Sequence, residues 1–542
     1  EKHTKKFPIN SIKACLKSSN LKIEDINYIA LSTDPKRQIR NFYLRAALKN
    51  DQGLKKLVDE HKYIKKWYNL ENFVRKKLRY KGKFKYYKHH LNHLSSCYYP
   101  SNFKNSLVVS YDGVGEGETS YFAVGQNNKL KVLHDKNFFP NSLGLIYAAL
   151  TSYLGWRYAC DEGIIMGLAS YGKPHKKIPN NKKTYIQVFR EIIKFENFLN
   201  LEINTDWITY HKERDTWLSE KFIQTFGKRR LYKDKLNQHH KNIAAALQLR
   251  LEEVVLSQLK FLKKKFKFKY LCLSGGVALN CSMNGKIAKS GLFEKIFVQP
   301  ASGDAGLAIG SAINCSLEVD SKKKLTFSTN CYLGSKFSNK EIKKIIKKYK
   351  NKIQIVKDKD YFDFASKVLI EKKIIGWFQG AAEFGPRALG NRSILASPNP
   401  SKIRDIINKN VKFRESFRPF APSILEEHCS KFFDIKQKSE YMLIACKVKP
   451  KMKKYISATV HVDDTCRVQT VSSKSNEKYY KLLKSMYSKT KVPVLLNTSF
   501  NIKGQPIVNS PNDALLCFLK YNIDYLFIGD YILKKKNFKK GY

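Results

Sequence analysis

Two rhythms of apolar and polar residues alternate along the chain. Short apolar, β-branched and aromatic runs, INYIALST from Ile26, SLVVSYDG from Ser106 and YLCLSGG from Tyr270, are too brief for helices and predict strands. Helical stretches lie between them, so the region from Lys22 to about Ile313 reads as α/β. A charged helix, SNKEIKKIIKKYK, follows, opened by a capping box of Ser338 and Glu341. We place a domain boundary just before it, in the polar segment VDSKKKLTFSTN, giving domains 1–330 and 331–542. In the second, the strand-like runs IIGWF, PVLLN and YLFIG again alternate with helices, so it too is α/β. No internal repeat is visible, and only the lysine tracts approach low complexity.

The stretch YYKHHLNHLSS from Tyr86 holds three of the chain's twelve histidines. On a helix from His89 to Tyr98, His89 and His93 share one face, with Leu91, Leu94 and Tyr98 on the opposite one. Two imidazoles one turn apart suit a single ion, but a transition-metal site takes three or more protein ligands. A pair of hydrogen-bonded or partly exposed histidines stays open as the alternative. Other segments hold carboxylates and flexible backbone. LVVSYDGVGEG from Leu107 runs as a strand into Asp112, Gly113 and two further glycines, a turn where amides can approach phosphate and a carboxylate can hold a cation. YLCLSGGVALNCSMNGKI is a strand closed by Gly275 and Gly276, where the missing Cβ atoms let a nucleotide lie against the backbone. VQPASGDAGLAIGSA puts Asp304 in a glycine-flanked turn before a helix of small residues.

Composition narrows the classes. At 542 residues and 43% hydrophobic, the chain can bury sizeable cores in more than one domain. Its eleven cysteines form no C-x-x-C pair, which argues against a zinc ribbon or a disulfide framework and for a reducing, cytoplasmic setting. No apolar run reaches the roughly 20 residues needed to span a bilayer, and no membrane partner is expected. The net charge of +55 would suit nucleic acid. The lysines, however, are scattered from end to end instead of forming an arginine-rich face, so they read as solvated background and no specific nucleic-acid partner is expected.

The motifs HHLNHLSS, SLGLIYAALTSYLG, DEGIIMGLASYGKP, LSGGVALNCSMNGKI and SGDAGLAIGSA, in that order, resemble the nodulation-protein and antibiotic O-carbamoyltransferases. FGPRALGNRSILASP, VKFRESFRPFAPSIL, HVDDTCRVQTV and VLLNTSFNIKGQPIV continue the likeness through the second domain. The resemblance implies an actin and sugar-kinase-like ATPase (Kae1-like) domain followed by a YrdC-like α/β domain. The second would make carbamoyl adenylate from carbamoyl phosphate and ATP with Mg2+. The first would bind that adenylate and pass the carbamoyl group to the hydroxyl of a small-molecule acceptor, a sugar or natural product. It also implies a metal, iron(II) or another divalent ion, on His89, His93, Asp112 and Asp304. Gly113, Gly275, Gly276 and Asn280 would seat the nucleotide.

In the second domain, arginines concentrated within the motifs of a lysine-rich chain suit phosphate and carbamoyl recognition through planar forks of donors. The candidate catalytic residues are Arg387, Lys412, Arg414, Arg418 and Arg467. Arg392, Ser499 and Asn501 are candidate triphosphate or carbamoyl contacts. The chain departs from the family at Ile164, Ala381 and Ala382, where lysine, arginine and methionine are usual, and at Asp464 and Gln505, where glycine and glutamate are. Family members begin with a strand, a turn containing His and Asp, and a second strand, which would precede Glu1. Two other classes remain: a tRNA-modifying carbamoyl-type transferase, and a noncatalytic nucleotide- or metal-binding homologue. The acceptor's identity and the oligomeric state are not legible. The segment from about Lys176 to Lys241, rich in aromatics and charge, is expected to line the acceptor pocket.

Overall fold

The run from Asn105 to Gly115 is the strand on which the first unit is organised. The computed structural model describes residues 6–48, 53–196, 198–213, 216–323, 325–327, 330–358 and 360–536. The chain divides into one unit of residues 8–329 and one chiefly of residues 330–542, both α/β.

In the first unit, β1 (Asn105–Gly115) is buried along most of its length, the pattern of a strand covered on both faces. It pairs antiparallel with β2 (Glu118–Gln126), which pairs antiparallel with β3 (Lys129–Phe138). On its other edge β1 runs parallel to β4 (Tyr270–Ser274), and β4 runs parallel to β5 (Lys295–Val298). The order β3-β2-β1-β4-β5, a meander followed by parallel strands, is consistent with an actin and sugar-kinase-like domain. The strand runs further than the sequence pattern indicates. Asp112 lies within β1, whose register shifts between Tyr111 and Gly115, and the turn falls beyond it at Glu116 and Gly117.

The helices that matter for the site are α1 (His89–Tyr98), α2 (Leu143–Tyr153), α3 (Gln238–Phe266), α4 (Cys281–Lys289) and α5 (Leu307–Val319). Leu94, Cys97 and Tyr98 of α1 pack on Val108, Tyr121, Ala123 and Cys272 of the sheet. Each fully buried large apolar side chain of this kind contributes about 1.5–3 kcal/mol, which fixes the roll of α1 and so the direction of its polar face. α5 lies close against α1 because Gly310 has no side chain: a Cβ there would stand 2.0 Å from the Asn92 carbonyl oxygen. Asn314 joins the two helices, donating to Asn92 Oδ1 and accepting from Ser95 Oγ. In the 176–241 segment, Trp207, Tyr210, Phe222 and Phe226 are buried, so much of its aromatic content forms a local core.

The second unit is an eight-stranded mixed sheet. Its strands are β6 (Ile353–Val356), β7 (Ile375–Phe378), β8 (Arg392–Ala396), β9 (Ala421–Leu425), β12 (Gln469–Val471), β13 (Val494–Ser499), β14 (Tyr525–Ile528) and β15 (Tyr531–Lys535). Their order is β6-β15-β14-β7-β8-β13-β9-β12; β10 (Ala445–Lys447) and β11 (Thr465–Arg467) form a separate antiparallel pair. Successive residues of one strand enter opposite cores, as the two-residue strand period requires. Phe378, Ile394 and Leu496 meet Ile342 and Ile346 of α6 (Asn339–Lys348) and Phe518 of the helix Pro511–Lys520. Trp377, Leu395 and Leu495 meet Leu369 of α7 (Tyr361–Ile370) and Leu482 and Met486 of α8 (Glu477–Thr490). The predicted capping box opens α6, with Glu341 N donating to Ser338 Oγ and Ser338 N to the Glu341 carboxylate. All eleven cysteines are free thiols. No helix among the described residues is long and apolar enough to cross a membrane.

Candidate functional site

In the first unit, His89, His93, Asp112 and Asp304 converge, with one ligand atom from each lying within 4.8 Å of the others. α1 supplies both imidazoles one turn apart, their Nε2 atoms 3.1 Å from each other. β1 supplies Asp112, whose Oδ2 is 3.2 Å from His89 Nε2 and 3.7 Å from His93 Nε2. Asp304, at the turn leading into α5, brings its Oδ1 to 3.6 Å and 3.8 Å from the same two nitrogens. His93 is fully buried, whereas the Asp304 side chain is 73% exposed, so the group opens toward solvent on the aspartate side.

Electrostatics tie the group together. Burial alone would raise the Asp112 carboxyl, but hydrogen bonds and charge from His89 and His93 hold it well below the usual carboxylate range. Burial works against a charged His89, and Asp112 overrides it, raising the imidazole. His90, on the same helix, goes the other way: burial, reinforced by His89 and His93, pushes it well below the usual range. It stacks on Tyr121 with ring centroids 5.0 Å apart and its Nδ1 is 2.8 Å from Ser110 Oγ. His90 is therefore a neutral structural neighbour of the pair.

The glycine turns shape the histidine–aspartate group. Gly275 adopts φ +83°, and a Cβ there would stand 2.0 Å from the Tyr111 carbonyl oxygen. That close approach lets the next amide, Gly276 N, donate to Asp112 Oδ1 at 2.7 Å and aim its other oxygen at the histidines. Gly115 seats the His89 ring, where a Cβ would come within 2.1 Å of Cγ. Gly113 is less crowded, and Ser142 Oγ donates to the carbonyls of Asp112 and Gly113. Asn280 is committed inside the protein: its Oδ1 accepts from Met283 N and caps α4, while its side-chain amide exchanges hydrogen bonds with Gln248 on α3. Asn280 is therefore the N-cap of α4.

In the second unit, Lys412, Ser499 and Asn501 form one cluster. The buried Lys412 ammonium lies 2.7 Å from Ser499 O, 2.8 Å from Asn501 Oδ1, 2.9 Å from Asn501 O and 3.1 Å from Ser499 Oγ. Arg414 donates through Nε to Asn408 Oδ1 and lies over the Phe420 ring. Burial, then the charges of Arg418 and Arg467, lowers the Arg414 guanidinium well below its ordinary value. Three guanidinium groups thus share one field, which an anion would relieve. Arg418 has Glu415 at 3.7 Å, and Arg467 ends β11 beside them. Arg387 lies in the FGPRALG loop. Arg392 is the most enclosed of the candidate arginines. It is fully buried, donates to the carbonyls of Ser335, Gln379, Gly380 and Asn391, and its guanidinium carbon sits 3.7 Å from the Phe378 ring centre. Its guanidinium faces main-chain carbonyls.

The departures also find places. Ile164 is buried on the helix Glu162–Ala169, whereas Asp464 sits at φ +64°, the left-handed region where glycine is favoured.

The comparisons with known proteins cover both units. A carbamoyltransferase N-terminus model matches residues 1–313 and a carbamoyltransferase C-terminus model matches residues 366–535. The chain belongs to the carbamoyltransferase family. It is 34% identical to nodulation protein NolNO of Sinorhizobium fredii over 99% of this chain and 75% of that protein. It is 37% identical to nodulation protein NolO of Bradyrhizobium diazoefficiens over 83% of this chain and 79% of that protein. It is 33% identical to the 3'-hydroxymethylcephem-O-carbamoyltransferase of Amycolatopsis lactamdurans over 48% of each. This carbamoyltransferase is accordingly a transferase, with a histidine–aspartate group in its first unit and a cationic cluster in its second.

Proposed function

We propose that this carbamoyltransferase makes carbamoyl adenylate in its second unit and transfers the carbamoyl group in its first to a hydroxyl of a small-molecule acceptor. Family membership supports the reaction type. The observation that carries the division of labour is the chemical contrast between the sites: guanidinium and ammonium groups gather in one unit, imidazoles and carboxylates in the other.

The reaction balances as three steps. Water cleaves carbamoyl phosphate to carbamate and phosphate. A carbamate oxygen attacks the α-phosphorus of ATP, accompanied by Mg2+, and displaces pyrophosphate. The acceptor hydroxyl then attacks the carbamoyl carbon, loses its proton, and AMP leaves. Carbamate is a poor electrophile, and the mixed anhydride supplies it with a good leaving group. In the second unit Arg414, Arg418 and Arg467 neutralise phosphate charge, Arg387 joins them from its loop, and Lys412 holds the Ser499–Asn501 loop in register.

In the first unit the donor set fits a divalent ion. Two imidazole nitrogens and two carboxylate oxygens already converge within 4.8 Å, a nitrogen and oxygen set suited to iron(II) and its neighbours. When bound, such an ion supplies a Lewis acid for the carbamoyl carbonyl or the acceptor oxygen. Asp112, fixed by the Gly276 amide, and Asp304, open to solvent, keep one buried and one accessible carboxylate at the site. Gly275 and Gly276 bring backbone close enough for the adenylate to lie beside the group. Incubating the protein with ATP, Mg2+ and labelled carbamoyl phosphate should yield carbamoyl adenylate and pyrophosphate; pyrophosphate release that does not depend on carbamoyl phosphate would refute the scheme.

A further inference from the structure

The loop that carries Arg387 is tied at both ends, and Glu383 is its main knot. A single carboxylate oxygen, Glu383 Oε1, accepts three main-chain N–H bonds, from Leu389 at 2.7 Å, Asn391 at 2.9 Å and Arg392 at 3.0 Å. Three donors on one oxygen draw the chain into a closed ring around the carboxylate, the geometry of a backbone anion nest filled by the protein's own side chain. The Arg392 guanidinium does the converse, gathering carbonyls of Ser335, Gln379, Gly380 and Asn391. Anchors outside the loop complete the frame. Phe384 N donates to Cys331 O, Asn497 Nδ2 to Ala388 O, and both Tyr332 OH and Gln469 Nε2 to Leu389 O. Gly390 adopts φ +102° with its Cα facing the Tyr479 ring, where a Cβ would come within 2.2 Å. These contacts flank Gly385–Arg387 on both sides, so the segment spans them as an arch.

We propose that Glu383 is a positioning residue: it holds Arg387 at the carbamoyl phosphate site by clamping the loop through its own carboxylate oxygen. This rests on the assignment of the second unit to carbamoyl phosphate chemistry. A rigid arch removes the ordering cost that a flexible arginine loop would bear on each binding event, so loosening the clamp weakens the anion contact without removing the arginine. Charge is secondary to acceptor geometry. A glutamine at 383 keeps an oxygen able to accept the three amides, whereas an alanine leaves them unmade.

The test is a calorimetric titration of the full-length protein with carbamoyl phosphate, for the wild type, Glu383→Ala, Glu383→Gln, Arg387→Ala and the Glu383→Ala/Arg387→Ala pair, with thermal unfolding of each. The expected result is about a tenfold weaker Kd for Glu383→Ala, recovery to within about threefold of wild type in Glu383→Gln, and a double variant no weaker than Arg387→Ala alone. Non-additivity is the readout that a general loss of stability would not produce. Additive losses, a Glu383→Ala affinity equal to wild type, or a Glu383→Gln as weak as Glu383→Ala would each overturn the clamp. If Glu383→Ala does not fold, the Glu383→Gln titration still decides between acceptor and charge. A wild type that binds no carbamoyl phosphate overturns the site assignment itself, and the clamp with it.

Discussion

The histidine–aspartate group of the first unit and the cationic cluster of the second differ in what their charged atoms face. In the first, the imidazole nitrogens and carboxylate oxygens of four residues point at one another across less than 5 Å. In the second, much of the cationic surface is already turned to protein oxygens, as Lys412 and Arg392 show. A ligand at the first site completes a set; a ligand at the second adds to a scaffold that is partly satisfied. Removing one residue should therefore act locally on ligand binding in the first unit, and on ligand binding and stability together in the second.

The largest effect is expected for His93→Ala. It removes one of four converging donors, so bound divalent metal, measured by elemental analysis of the purified protein, should fall from near stoichiometric to background. Carbamoyl transfer should fall by at least about 100-fold, while formation of carbamoyl adenylate stays within a few-fold of wild type. Parallel loss of both half-reactions in a folded protein would erase the contrast between the units.

Lys412→Met sharpens the contrast from the other side. The methionine fills the volume but leaves the carbonyls of Ser499 and Asn501 without the ammonium, a loss of about 2–4 kcal/mol in the second unit. Adenylate formation should fail together with stability, seen as a lower unfolding midpoint in denaturant, while metal content is unchanged. A Lys412→Met protein as stable as wild type would show that the ammonium serves only a ligand.

The same contrast explains what the sequence could and could not tell. The helix from His89 and the small-residue helix with Gly310 were legible because period and residue size act locally. That Asp112 would sit inside β1, and that the Gly276 amide would orient it, depended on β1 and β4 being parallel neighbours, which no local pattern states. The main-chain contacts of Arg392 were not legible, because residue type alone cannot separate a phosphate ligand from a buried scaffold. The signal was present in RSILA, where an arginine opens a strand otherwise short of polar residues and so enters the core with it. Glu383 was passed over for the opposite reason: one carboxylate beside Phe-Gly-Pro looks like an ordinary loop residue until its three amide donors are seen.

A smaller effect concerns a partly buried cation of the second unit. Lys535 donates to Tyr521 O at 2.6 Å, and burial, only partly offset by Asp524 and Cys517, lowers its ammonium to about 8 from the ordinary 10.5. Below pH 8 Lys535 is charged in both the folded and unfolded chain, and the cost of burying it is fully felt. Between pH 8 and 10.5 the folded chain releases the proton first, the unfolded chain binds more protons, and stability rises with pH. The unfolding temperature should gain a rising component between pH 8 and about 10 that Lys535→Met removes. An identical pH profile in the variant would sink this reading.

The smallest effect concerns a departure from the family pattern. Asp464 occupies φ +64°, a left-handed conformation that costs a non-glycine residue about 1 kcal/mol, somewhat less for aspartate. Its carboxylate forms an ion pair with Lys453 at 2.7 Å, with both side chains at least 35% exposed, a contact worth about 0–1 kcal/mol at the surface. Asp464→Gly removes the strain and the ion pair together, while glycine's extra freedom in the unfolded chain opposes it by about 0.5–1 kcal/mol. The terms nearly cancel, so the unfolding temperature at moderate salt should move by no more than about 2 °C. Gly275→Ala in the first unit is the matched opposite: a similar left-handed φ of +83°, but with a carbonyl oxygen 2.0 Å from the new Cβ. It should cost several times more and release metal as Asp112 loses its amide. Raising the salt separates the terms in Asp464→Gly: screening weakens the wild-type ion pair but leaves backbone strain untouched, so the variant should gain on the wild type as salt increases. A difference that ignores salt would mean that Lys453 contributes nothing at this turn.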